Sequence, residues 1–240
     1  MGSVSEHRNQ YDQPIGPAVA GWSERARPPR HALHGRYSCL EPVDPHRHAA
    51  DLFAAYIDAA DARDWTYLFQ ERPETSSSFL DYLTDLAKSE DPLHYTIVDT
   101  ETAKPVGTAA LMRIDPVHGV IEVGSIAYSP RIKRTRAGTE AMYLLMRLVF
   151  DELGYRRYEW KCDSLNGPSR AAARRYGFTF EGIFRTAIVY KGRSRDTAWY
   201  SIIAEEWPRI RSAFDTWLDP KNFDEGGHQK RALEAMRPSL

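Results

Sequence analysis

Residues Gly119-Val-Ile-Glu-Val-Gly-Ser-Ile-Ala-Tyr128 run into Ser129-Pro-Arg-Ile-Lys-Arg-Thr-Arg-Ala-Gly138 and then Thr139-Glu140-Ala141, and this join decides how the whole chain is read. The first ten residues have the β-branched content of a strand. From Ala141 onward Leu144, Leu145, Leu148, Val149 and Leu153 recur at helical spacing, and Gly154 suits a left-handed cap. A strand that turns through a basic loop into a helix presents unpaired N–H groups to an anion, and Lys133, Arg134 and Arg136 add charge at that mouth. A solvated basic turn accounts for the same residues equally well. Gly124 breaks the strand, which marks a bulge, a close approach of another group, or ordinary irregularity. A gap at its side would free the backbone of Ile126, Ala127 and Tyr128 for an extended ligand.

Residues 1–35, which precede the first periodic segment, contain Pro14, Gly16, Pro17, Gly21, Pro28 and Pro29 without a regular period. They read as an irregular arm, either wrapped on the domain through Trp22 or loose. Tyr37 to Val43 reads as a strand, and Asp44-Pro45 caps a helix whose apolar stripe is Ala49, Leu52, Phe53, Tyr56, Ile57 and Ala60. Trp65 and Tyr67 fall in an aromatic connection that either lines a pocket or caps the core. A second helical pattern gathers Phe79, Leu80, Leu83, Leu86 and Ala87. Strands follow at 94–99, 105–114 and 119–128 as an antiparallel meander. After the central helix come a strand at 155–163, a short helix from Asn166 to Gly177, a hairpin of 181–190 with 196–204, and a last helix at 205–218. Residues 219–240 read as a polar tail. A single α/β domain over 36–218 is the economical organisation.

The chain has 240 residues, is 42% hydrophobic and 27% charged, and has a net charge of -1, so nothing global argues for nucleic acid. No apolar run approaches the length of a membrane span, and the N-terminus lacks the apolar core of an export signal. Cys39 and Cys162 are too few for a disulfide framework or a zinc site, which fits a cytoplasmic protein.

The Tyr128–Ala141 run resembles the acetyl-CoA motif of the GNAT superfamily of N-acetyltransferases, whose loop reads Gln or Arg, two residues, Gly, one residue, Gly or Ala. Lys133 holds the first position, Gly138 the last, and Arg136 replaces the middle glycine. Thr139-Glu140-Ala141 and the later run Asn166-Gly-Pro-Ser169 through Tyr176-Gly177-Phe178 to Gly182 resemble the RimJ/RimL-like branch of ribosomal-protein N-terminal acetyltransferases. The resemblance covers roughly residues 36–205. It implies a GNAT-like domain with a mixed, mostly antiparallel sheet of about seven strands flanked by helices, with acetyl-CoA as cosubstrate. It also implies that Ile126, Ala127 and Tyr128 hold the pantetheine arm and thioester. Lys133, Arg134, Thr135, Arg136, Ala137, Gly138 and Thr139 would cradle the pyrophosphate, and Asn166 and Ser169 would stand near pantetheine and thiol. Turn formation and helix capping are the plain alternatives for those last two.

Transfer to an amine needs a base, an oxyanion donor and a means of releasing the thiolate. Glu122, a carboxylate among apolar strand neighbours, is the expected base, with a salt bridge to an arginine as its alternative and Asp163 and His118 in reserve. The family's usual acid, a tyrosine four positions before the Gly-Phe pair, falls on Ala173, and a base used by some relatives falls on Ile188, so neither role carries over. Ser169 and Tyr176 are the candidates for the acid. The acceptor, a small-molecule amine or a protein N-terminus, is expected to be chosen by Trp65, Tyr67 and the final hairpin, and a homodimer is compatible with the pattern. Rival readings are a non-catalytic acyl-CoA-binding module and a nucleic-acid contact at Arg131 to Arg136.

Overall fold

The structure, a computed structural model, describes residues 7–237. Its centre is an eight-stranded sheet ordered β3-β4-β5-β6-β7-β8-β10-β9. The strands are β3 (Leu33–His34), β4 (Ser38–Pro42), β5 (Leu93–Asp99), β6 (Lys104–Asp115), β7 (Val120–Tyr128), β8 (Arg157–Asp163), β9 (Thr179–Tyr190) and β10 (Arg193–Ile203), and β1 (His7–Arg8) with β2 (Pro14–Ile15) forms a separate ribbon. The expected seven strands are present, and the eighth is the two-residue edge piece β3.

All neighbours in the sheet are antiparallel except β7 and β8. A parallel pair requires a crossover. Here α3 (Arg136–Arg147), extended by a π-helical turn at Leu148–Glu152, supplies it, and Gly154 ends it at φ +65°. The helix is buried along nearly its whole length. Its Glu140 carboxylate accepts the backbone N–H groups of Arg36 at 2.9 Å, Tyr37 at 2.6 Å and Ser38 at 2.7 Å, which ties the start of β4 to α3.

On the other side of β5 and β6 lie α1 (Pro45–Ile57) and α2 (Ser76–Lys88), whose Leu52, Tyr56, Phe79, Leu83 and Leu86 form a second apolar cluster with Trp65. Asp44 caps α1 as expected, accepting from His46 and Arg47 N–H. Three residues assigned to these core stripes, Ile57, Ala60 and Leu80, are instead exposed, because α1 ends at Ile57 and Leu80 lies off the buried face of α2. Over β8 and β9 lies α4 (Gly167–Tyr176), capped by Asn166 and stopped by Gly177 at φ +101°, while α5 (Trp207–Leu218) packs on α3.

Both terminal segments, over their described residues, are tied to this frame. Within the described arm, Trp22 donates to the Val117 carbonyl at 2.9 Å, and the Ala26 and Pro29 carbonyls accept from Tyr155 and Tyr95. In the tail, Phe223 and Leu233 are buried, and Gln229 accepts from the Trp217 indole at 2.8 Å. A tail polar in composition therefore folds back through two apolar anchors.

Candidate active site

β7 and β8 pair only from Val120 with Arg157 to Val123 with Trp160, and beyond that point they part. Each keeps its outer neighbour: Tyr128 pairs with Gly107 of β6, and Asp163 with Thr197 of β10. The register of β7 on β6 slips between Thr108 and Ala110, and Ser125 takes φ +47° at that bulge. A cleft of about 1560 Å³ opens in the gap.

Its inner lip is the end of β7. Ser129 gives its N–H to Val106 across β6 at 3.1 Å, so strand alternation turns the N–H of Tyr128 into the gap. Ile126 and Tyr128 line the cleft. Ala127 faces away into the cluster under α1, and its carbonyl accepts from Tyr56 at 2.8 Å, so the expectation of a free backbone at Ala127 is corrected.

The outer lip is the mouth of α3. Thr135 caps the helix by accepting the Gly138 N–H at 3.1 Å, which leaves the N–H groups of Arg136 and Ala137 without an acceptor among the described residues. Lys133, Arg134, Thr135, Arg136, Gly138 and Thr139 line the cleft, whereas the Ala137 side chain is in the core. Arg136 is helical, a conformation that does not require the middle glycine. The left-handed residue is Arg134, at φ +60°. Gly138 is required by contact: a Cβ there would lie 2.7 Å from the Ile132 carbonyl oxygen and 3.1 Å from the Tyr128 ring. Much of the loop's charge is already paired. Arg131 meets Asp58 at 2.6 Å, Lys133 meets Asp64, and Arg136 lies over the Tyr37 ring at 4.4 Å, while Arg134 has no ion pair among the described residues.

At the apex of the split the two faces of β8 differ. Trp160 and Cys162 turn toward α4, where the Trp160 indole donates to Ser169 Oγ at 3.0 Å and Asn166 accepts the Ser169 N–H at 3.1 Å. The opposite face carries Glu159, Lys161 and Asp163. Lys161 Nζ sits 2.6 Å from Glu159 and 3.0 Å from Glu122, and Arg113 approaches Glu122 at 3.4 Å. Glu122 is therefore both buried, at 4% exposure, and ion-paired, with Lys161 as its nearer partner. Burial raises its carboxyl above the usual range, and Lys161 and Arg113 oppose that shift.

The other expected residues are scattered. Tyr176 lines the cleft seven residues beyond Ser169, about 10 Å along α4. That spacing along the helix keeps the two candidate acids apart, and the Arg175 guanidinium lies over the Tyr176 ring at 5.4 Å. Burial raises the Tyr176 pKa and keeps it protonated. Trp65 is a core residue, packed edge-on against Tyr56 and Tyr82, and does not line the cleft, whereas Tyr67 does. Asp163 lines the cleft but accepts from Tyr190 at 2.9 Å and Leu165 N–H at 2.8 Å, and His118 is an exposed turn residue beside Asp115.

Several lining residues escaped sequence reasoning. Arg175 donates to Thr139 at 3.0 Å, and Arg195, Thr197 and Trp199 of β10 and Phe223 and His228 of the tail complete the wall. The basic last turn of α4 was a weak signal for Arg175. The others are set by which strand face and which chain end meet the gap.

The sequence matches the acetyltransferase (GNAT) domain family over residues 38–179. It is 49% identical to a GCN5-related N-acetyltransferase from Brucella melitensis, covering 90% of this chain and 98% of that one, with a TM-score of 0.88. A probable acetyltransferase of the GNAT family from Chromobacterium violaceum ATCC 12472 is 38% identical over 82% of this chain and 98% of its own, with a TM-score of 0.75. RimL, a ribosomal L7/L12 alpha-N-protein acetyltransferase, shares the fold at 20% identity, covering 72% of this chain and 94% of its own at a TM-score of 0.61. No curated protein matches the chain. A strand pair that opens onto an amide-rich helix mouth, within a sequence that matches this family over most of its length, identifies the chain as a member of the GNAT family of acetyl-CoA-dependent N-acetyltransferases.

Proposed function

We propose that this enzyme acetylates a primary amine, on a small molecule or at a protein N-terminus, by direct attack on the thioester while both substrates are bound. The observation that carries this reading is the parting of β7 and β8 after Val123 and Trp160, which opens a passage between the α3 mouth and the charged face of β8. The N–H groups of Arg136 and Ala137, with Arg134 and Arg175, would hold the pyrophosphate. The backbone of Ile126 and Tyr128 would pair with the pantetheine arm beside Asn166, and the Tyr128 N–H would meet the charge that builds on the thioester oxygen.

Glu122 would take the ammonium proton, directly or through water, before nitrogen bonds to the acetyl carbon. As the carbon–sulfur bond breaks, Ser169 would donate to the sulfur. Its oxygen already accepts from Trp160, which leaves its own proton available. Tyr176, next to the Arg175 that donates to Thr139, would serve the phosphate end. Within the family, the Thr139–Ala141 and Asn166–Gly182 runs support the RimJ/RimL-like branch. The exposed apolar edge at Ile183, Phe184 and Val189 is where a homodimer would form, and two unbridged cysteines fit a cytoplasmic setting.

Calorimetry with acetyl-CoA and CoA, followed by thiol release across a panel of amines, tests the reading. Binding together with amine-dependent release is expected. Binding with no release from any amine would leave a non-catalytic acyl-CoA-binding module, and no binding would remove the proposal entirely.

A further inference from the structure

The geometry points to an acceptor that carries a carboxylate as well as its amine, received by Arg195 together with Thr197 and Trp199. This inference rests on reading the charged face of β8 as the acceptor side. The three residues alternate along β10, so their side chains leave the sheet on one face, and all three line the cleft. Opposite them on β8 stand Asp163, paired with Thr197, and Lys161, paired with Trp199. Ala198 and Cys162 turn to the other face, into the core beneath α4. The row is thus separated by the sheet from Ser169 and Trp160.

Arg195 is 6% exposed and Thr197 is 3% exposed, and groups buried to that degree nearly always have hydrogen-bond partners. Arg195 Nε, Thr197 Oγ1 and Trp199 Nε1 have none among the described residues. Three of the eight buried side-chain atoms left without partners among the described residues therefore stand in succession on one strand face. The neighbouring charges are committed elsewhere. Lys161 is held by Glu122 and Glu159, and Asp163 by Tyr190 and the Leu165 N–H. Among the described residues Arg195 meets only the rings of Phe69 at 5.5 Å and Tyr190 at 5.7 Å, and these cannot satisfy its directional N–H groups.

One uncommitted guanidinium beside two neutral donors suits a singly charged, planar carboxylate, which accepts two parallel N–H bonds. A phosphate dianion would meet the same single cation with the Asp163 carboxylate nearby. The row is also roofed. Tyr67 donates to the Leu165 carbonyl at 3.3 Å, Lys191 reaches the Trp65 carbonyl at 2.9 Å and Glu71 at 3.0 Å, and Phe69 packs edge-on against Tyr190 at 5.8 Å. These contacts tie the α1–α2 connection to the β8–α4 loop and to the β9–β10 hairpin, and a chamber closed in this way takes a small aminocarboxylate rather than a polypeptide.

The test compares thiol release for glycine, γ-aminobutyrate and ε-aminocaproate with methylamine, propylamine and pentylamine, their matched amines without the carboxylate. At one or more lengths the carboxylate should raise kcat/KM by about tenfold or more, the scale of a charge-assisted hydrogen bond. In Arg195→Met that ratio should fall toward one, and Arg195→Lys should restore part of it. CoA binding by calorimetry serves as the check that each variant is folded. Ratios near one throughout the wild type, or a preference that persists in Arg195→Met, overturn the proposal while leaving amine acetylation intact. If no amine releases thiol, calorimetry of the CoA-loaded protein with the three aminocarboxylates decides. Binding that is lost in Arg195→Met supports the carboxylate site, and no binding overturns it.

Discussion

The two halves of the sheet, divided where β7 and β8 part, are built on different terms. From β4 to β7 both faces are covered, by α1 and α2 on one side and α3 on the other, and the polar groups buried there mostly join pieces of the frame. Glu140 collects the N–H groups at the start of β4, and Tyr56 reaches the Ala127 carbonyl. From β8 to β9 the helices lie on one face, and the other carries Glu159, Lys161, Asp163, Arg195, Thr197 and Trp199. Burying charge is costly even when it is paired, and unpaired donors add to that cost. The first half is a packed support, and the second keeps polar groups in reserve beside the gap.

That contrast is most exposed to test at Trp65. If it is packing rather than acceptor recognition, Trp65→Ala should cost about 4 kcal/mol of stability, as for large aromatic truncations in cores. Chemical denaturation measures this, and a variant of wild-type stability with altered acceptor preference would return Trp65 to the cleft. Across the split, Glu122→Gln should lower kcat/KM by about two to three orders of magnitude, the range of a lost general base. The same variant should remove an acid limb lying above the ordinary glutamate range, because burial raises that carboxyl and the base works only when ionised. A full-activity variant, or a limb that survives, breaks the assignment.

The two halves should also titrate differently, one in stability and the other in rate. Burial, aided by Arg30, pushes His94 of β5 down to about 4, and its Nδ1 has no partner among the described residues. Above pH 6.5, its ordinary value, the neutral ring is common to folded and unfolded chains. As pH falls from there toward 4 the unfolded chain takes up the proton and the folded one resists it, so stability is lost across that window, by about 3 kcal/mol. Denaturation curves at both ends should show the loss in the wild type and a smaller one in His94→Leu. The smallest effect belongs to the α3 cap: Thr135→Ala should cost about 1 kcal/mol and weaken CoA binding a few-fold, read by melting and calorimetry.

Much of the frame was legible because it is written in local patterns. Asp44-Pro45, Asn166 and Gly177 mark helix ends wherever they occur, and the meander of β5, β6 and β7 follows from short turns between alternating runs. The gap beside Ile126 and Tyr128 was foreshadowed by Gly124, although Ala127 faces the other way. Ile57 and Ala60 depart from the expected stripe because the helical period runs on in the sequence past the end of α1, and Leu80 because it lies beside the buried face of α2. Trp65 and Tyr67, two residues apart, went to core and cleft respectively, a division that composition does not contain.

By itself the sequence determined the order of elements, the helix caps, the basic mouth of α3 and the family, because each depends on residues that are neighbours along the chain. Only the tertiary structure decided that Glu122 shares Lys161 with Glu159, that Ser169 receives the Trp160 indole, and that Arg195, Thr197 and Trp199 face the gap without partners. Those outcomes depend on strand register and on which face of a strand meets which neighbour, and a shift of one residue reverses every side chain on it.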